Sequence, residues 1–201
     1  DDETIARLKT LKSNDQIFAD VIKRSRVVLG QAGRPNDTEG VRGPPVKKSV
    51  AVRKLSRQAE EPSVYLRKFP ALVRNIPVIE QAATGKFGGH GIFSVVPGKD
   101  GIVRNIPAFF MHDGEYFPAL AIEMLRVATG RQTVLAQVND AGMVGAAISK
   151  NLMVTTDRVG QIWPYFSERD WDKYVPAYEV LNGSADPAKI RGKLTILGTS
   201  A

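Results

Sequence analysis

Residues 85–111 read GKFGGHGIFSVVPGKDGIVRNIPAFFM. Gly88, Gly89 and Gly91 open the stretch. Ile92, Phe93, Val95 and Val96 follow as a β-branched and aromatic run of the kind strands favour. Pro97-Gly98-Lys99-Asp100-Gly101 interrupts the run with residues suited to a reversal. Ile102, Val103, Ile106, Phe109, Phe110 and Met111 then resume it. The pattern predicts a β-hairpin, with Asp100, Gly101 and Arg104 as a polar cluster at its turn.

Upstream of the hairpin, Asn75 is placed to cap a short helix, Pro77 suits its first turn and Gly85 its end. Residues 31–45 are rich in Pro and Gly and read as a loop, preceded by an apolar strand from Arg26 to Gly30. Before that strand, Asp1 and Asp2 suit a helix start, with Ile5, Leu8 and Leu11 at spacing three. A second cap at Ser13-Asn14-Asp15 leads Phe18, Val21 and Ile22. Val50 and Val52 give a weak strand signal, and 65–73 is apolar without period. Downstream, His112-Asp113-Gly114-Glu115 reads as a turn, and Pro118 opens a helix with Leu120, Ala121, Met124, Leu125 and Ala128 on one face. Val134, Ala136 and Val138 alternate as a strand, and 140–150 reads as a small, Gly-rich connection. Residues 152–155 and 161–165 suggest a second hairpin turning at 157–160. An aromatic-rich loop and short helix then run to Asn182-Gly183, and 193–198 is a closing β-type run. Helices alternating with strands predict an α/β fold, a mixed sheet with flanking helices and β-hairpins, in a single domain over 1–201.

Composition bounds the function. The chain has 201 residues, 43% apolar and 24% charged, as an ordinary globular protein does. It has no run of 18 apolar residues to span a membrane. It begins at Asp1 with no leader-like segment, and reads as a piece of a longer chain. It has no Cys, which excludes disulfides and thiolate metal sites. The net charge of +7 is concentrated in residues 42–74, with nine basic and two acidic residues, and the remainder balances. This loop-rich basic segment reads first as a solvated surface. Contact with an anionic lipid surface or an acidic partner is the sharper alternative. Nucleic acid is not an expected partner, because no binding signature or interleaved aromatic pattern is present.

Motifs for catalysis fail one by one. Gly192-Lys193-Leu194-Thr195 lacks the upstream glycine of a phosphate loop and precedes a strand-like run. Gly198-Thr199-Ser200-Ala201 lacks a neighbouring His base. With only His90 and His112 in the chain, no His-rich metal site is expected, and no cofactor is called for. The candidate ligand contacts are Asn75, His90, Asp100, Arg104 and Tyr165. Each has a structural alternative: Asn75 as a helix cap, His90 as a turn residue, Asp100 and Arg104 as a turn-closing pair. Trp163, Tyr165, Trp171, Tyr174 and Tyr178 serve either to line a cleft or to pack a core or interface. The run Gly88-Gly89-His90-Gly91 offers backbone amides to an anion only if it forms a turn.

Several stretches, in order, resemble the type-two cyclase/histidine-kinase-associated sensing extracellular domain. Asp1-Asp2 with Ala6 looks like the family's acidic pair, and Arg26 to Gly30 like the strand after it. Asn75-Ile76-Pro77 with Ala82, Ala83 and Gly85 resembles its Asn-x-Pro helix. Asp100-Gly101-Ile102-Val103-Arg104 with Pro107 resembles its most specific motif. Tyr116-Phe117-Pro118-Ala119-Leu120-Ala121 with Glu123 is similar to its helix start, with Ala119 where the pattern often has Ser. Gly160-Gln161-Ile162 with Tyr165, Val180-Leu181-Asn182-Gly183, and Gly192 to Ala201 match its late part. The family's strand, helix and strand before the acidic pair have no counterpart here. The resemblance implies a sensor and no catalyst: an extracytoplasmic, periplasmic domain of a bacterial inner-membrane receptor. Its cytoplasmic output would be a nucleotide cyclase, an adenylate cyclase first, or a histidine kinase. It further implies a small-molecule or environmental ligand and a homodimer tethered to the membrane.

Overall fold

The structure, a computed structural model, describes residues 11–36, 40, 45–95 and 97–198. The proposed helix start at Asp1-Asp2 and the closing Thr199-Ser200-Ala201 lie outside the described residues. The chain divides into two compact units, Asp1–Pro164 and Tyr165–Ala201.

Helix α1 spans Asn14–Arg24. Its start is a capping box: Ser13 Oγ accepts the Gln16 N–H at 3.2 Å, and Gln16 Oε1 accepts the Ser13 N–H at 3.1 Å. Asp15 in the first turn and Lys23 and Arg24 in the last suit the helix dipole. Ala19 and Ile22 pack on Ile79 and Ala82 of helix α2 (Pro77–Ala82) and on its C-cap Ala83, with Val27 and Leu29 beside them. Strand β1, Val27–Arg34, runs parallel to β5, Gly88–Ile92, in the register Leu29 to His90, and antiparallel to β4, Ala71–Val73. A parallel bridge from Ile92 to Ala119 brings β5 alongside the end of β8, Glu115–Pro118. β8 pairs antiparallel with β7, Phe109–His112, and β7 pairs parallel with β3, Arg67–Lys68. The turn between β7 and β8 puts Asp113 at φ 46° and Gly114 at φ 77°, the left-handed geometry of a tight hairpin.

A second sheet has the order β11, β10, β9, β2, formed by Leu152–Thr155, Gly142–Ser149, Val134–Asn139 and Val50–Lys54. Helix α3, Leu120–Ala128, buries Ile122 and Val127. The main core gathers Phe109, Phe110, Phe117, Ile92, Ile122, Val134, Ala136 and Val138. Two-residue strands β6 (Ile106–Pro107) and β12 (Gln161–Ile162) pair antiparallel.

The hairpin expected over residues 85–111 does not form. The Gly-rich opening with Ile92 becomes β5, bound to β1, while Phe93 to Val95 form no strand, and the end of the second run becomes β7, bound to β8 and β3. The reversal itself survives as a local loop: Gly98 N–H donates to Ile102 O and Gly101 N–H to Gly98 O, both at 2.9 Å. Two apolar runs around a turn signal adjacency in sequence, and non-local packing decided the partners. The turn at 157–160 is likewise present, with Asp157 N–H donating to Gln161 O at 2.9 Å, yet β11 pairs with β10 and β12 with β6.

Residues 31–34, read as loop, continue β1. The connection read at 140–150 is strand β10, whose small residues answer close packing: a Cβ on Gly145 would lie 2.4 Å from Val154 O. The basic segment holds β2, β3 and β4. Lys193 to Gly198 forms no strand among the described residues, and Leu194, Ile196 and Leu197 are exposed, because no described ladder receives them. In the second unit, Trp171 and Tyr174 stack at 5.5 Å, Arg169 lies 3.7 Å over Trp171, and helix α4 spans Ala177–Leu181. Trp171, Tyr174 and Tyr178 are exposed there, as is Trp163 at the end of the first unit.

Candidate functional site

Strand β5 is the support. Every one of its five residues is buried, and it lies against α2 on one face and α3 on the other. Its glycines answer that squeeze. A Cβ on Gly89 would sit 2.1 Å from Glu123 Oε1, and one on Gly91 would sit 2.6 Å from the Leu120 Cα. The Gly88–Gly91 run is therefore a packed strand whose backbone serves the β1 ladder, and it forms no anion-binding turn.

On the α3 face, Arg126 and Glu123 form a bidentate pair, Nη2 to Oε1 at 2.6 Å and Nε to Oε2 at 2.8 Å, with both side chains almost wholly buried. The remaining hydrogen-bonding capacity is used. Arg126 donates to Gly88 O at 2.9 Å and to Arg131 O at 2.5 Å, and the Ser49 hydroxyl donates to Glu123 Oε2 at 3.0 Å. Lys47 donates to Gly85 O and Gly88 O at 2.6 and 3.0 Å. Burial, helped by the Arg126 charge and opposed by Glu123, lowers its pKa.

On the α2 face, Glu80 Oε1 accepts from Gln31 Nε2 at 2.7 Å and from Arg74 Nε at 2.8 Å. His90 Nε2 lies 3.0 Å from Glu80 O. His90 Nδ1 and Gln31 Oε1 are buried and have no partner among the described residues. Burial lowers the His90 pKa; the Glu80 carbonyl and the Glu80 and Glu123 charges oppose that shift, and Arg74 adds to it.

At the carboxyl ends of β1 and β5 the packing opens. A cleft of about 380 Å³ is lined by Gly33, Pro35, Arg67, Phe69, Phe93, Ser94, Val95 and Pro97. This is where open α/β sheets with parallel strands place ligands. Ser94 fixes its rim: Oγ accepts the Gly33 N–H at 2.7 Å and donates to Gly33 O at 3.3 Å, while Phe93 N–H donates to Gln31 O. Phe69 is held from behind, its carbonyl accepting from His112 Nδ1 at 2.9 Å and its ring 5.4 Å from that of Phe110. Gly33 is small for a reason, since a Cβ there would lie 2.2 Å from the Phe69 ring.

The five sequence candidates do not converge on this cleft. Asn75 Nδ2 donates to Gly30 O at 3.1 Å; it ties α2's approach to β1 and does not cap the helix, whose N-cap is Ile76. His90 is buried in β5. Asp100 and Arg104 form an exposed bidentate pair at 3.0 and 2.7 Å, and Asp100 Oδ1 also accepts the Ile102 N–H. The Arg104 hydrogen bond, then that N–H, hold the Asp100 carboxyl below its usual range. Tyr165 is 97% exposed, in the second unit. Arg67 and Phe69 escaped the sequence reading because 65–73 has no period. The one available signal was the basic segment, of which Arg67 is a member.

The CHASE2 domain family model matches residues 2–201. The chain belongs to that family. CHASE2 domains are extracellular sensory domains of signalling receptors and are not catalytic. No curated protein and no solved structure matches the chain. No helix among the described residues of this CHASE2 domain is long and apolar enough to cross a membrane, and no described cluster of His, Asp or Glu is arranged to hold a metal ion.

Proposed function

We propose that this CHASE2 domain is the periplasmic sensing part of a bacterial inner-membrane receptor, and that a small molecule entering the cleft at the ends of β1 and β5 controls a cytoplasmic output. That output is an adenylate or guanylate cyclase or a histidine kinase, and the working unit is a homodimer. The observation that carries the reading is the contrast along β5: a closed support for its whole length, then an open cleft immediately beyond Ile92. A ligand there touches Phe93 and Val95 after β5, Gly33 on β1 and Arg67 on β3, and so bridges three strands. It shifts the domain between packings by its difference in affinity for them. In the full-length receptor, Val95→Trp fills the cleft from an exposed position. The expected result is a normally folded receptor whose output no longer varies with growth medium. An unchanged response would overturn the reading.

A constitutive dimerisation module that binds nothing small is the second reading. Ile17, Phe18 and Val21 favour it, since all three lie exposed on α1. A tight dimer in sedimentation, lost on Phe18→Lys, together with an output indifferent to Val95→Trp, would support it.

A further inference from the structure

The cleft lining is chemically lopsided. Phe69, Phe93, Val95, Pro35 and Pro97 make it apolar, and the Ser94 hydroxyl is consumed by Gly33. Among the described residues that line it, the one charged is Arg67. Four other cations of the basic segment are engaged, Lys47 on two carbonyls, Lys48 on Glu115, Lys54 on Glu61 and Arg74 on Glu80, while Arg53, Arg57 and Lys68 do not line the cleft. Among the described residues, the Arg67 guanidinium has no side-chain hydrogen bond and no ion pair.

Resting on the sensing reading of the cleft, we propose that its ligand is a small carboxylate on an apolar, ring-sized body, with Arg67 as the partner of the anion. A guanidinium presents a planar two-donor fork that matches a carboxylate. A phosphate monoester carries more charge and more acceptors, and sites for it draw on helix N-termini and clustered backbone amides. Among the described residues, no helix start lines this cleft. Among the described residues, the lining contains no acidic residue to attract a cation or an amine. The two phenylalanines and two prolines supply flat apolar walls, and a cleft of about 380 Å³ falls in the range of small-molecule sites.

The test is a titration of the isotopically labelled chain with benzoate and, separately, with benzamide, its uncharged counterpart, following the backbone amides of Gly33, Phe93, Ser94 and Val95. The expected result is saturable shifts with benzoate and binding of benzamide at least tenfold weaker. Arg67→Met should abolish the benzoate shifts with an unchanged melting curve, and Arg67→Lys should retain part of the affinity. Equal binding of benzoate and benzamide at these amides would overturn the carboxylate assignment while leaving the cleft as a ligand site. Shifts from neither compound at any of the four amides would overturn the carboxylate assignment, and an unchanged receptor response on Val95→Trp as well would overturn the sensing reading too.

Discussion

Two bidentate arginine–carboxylate pairs with nearly equal contact lengths sit in very different places. Glu123–Arg126 and Asp100–Arg104 are both bidentate, with shortest contacts of 2.6 and 2.7 Å. The first is sealed between α3 and β5, and the second is about half exposed on a loop. Geometry alone would rank them equal. Water separates them: exposed charges lose little on parting, whereas a buried charge left alone has no substitute partner. The exposed pair stood out in the sequence because it sits on a turn. The buried pair, within a helix, fastens α3 to β5 through the Gly88 carbonyl.

The comparison breaks most readily at the buried end. Arg126→Met leaves Glu123 buried without its guanidinium partner, removes the donor of Arg131 O and leaves Gly88 O to Lys47 alone, and should cost about 3–5 kcal/mol in urea unfolding. Next come the β5 glycines. Gly91→Ala pushes a methyl against the Leu120 backbone and Gly89→Ala against the fixed Glu123 carboxylate, each expected to cost about 1–3 kcal/mol by thermal melting.

The α2 face of β5 sharpens the contrast by pH. The His90 pKa is lowered in the folded protein, so the unfolded chain takes up a proton first. This contribution to stability is complete above the ordinary histidine value of about 6.5, and is lost as pH falls from there through the lower folded value. His90→Gln, which keeps a donor for Glu80 O, should flatten the fall in melting temperature between neutral and mildly acidic pH. The smallest effect belongs to Arg104→Ala, whose melting curve should coincide with that of the parent. A large loss there would make the loop pair structural after all.

Local chemistry in the sequence was enough to find α1, α3, β9 and the turns at 98–101, 112–115 and 157–160, because caps, periodicity and turn residues act within a few positions. Order along the chain was enough for the family. Strand partners were not legible: 88–92 reads Gly-Gly-His-Gly-Ile and 109–112 Phe-Phe-Met-His, and in neither does the local pattern name a partner; distant elements decide that one joins β1 and the other β8. β10 hid because Gly142, Gly145 and Ala146 look like a linker, though their smallness reflects close packing. The cleft hid for a related reason. Gly33, Arg67, Phe69 and Phe93 come from three separate stretches, and none is unusual until the sheet brings them together.

The most direct measurement compares Arg67→Met and Arg104→Ala in the full-length receptor, reading the span between lowest and highest output across growth media. The account predicts that Arg67→Met collapses the span while Arg104→Ala responds as the parent does. A full response from Arg67→Met with a collapsed one from Arg104→Ala would move the sensing site from the cleft to the loop.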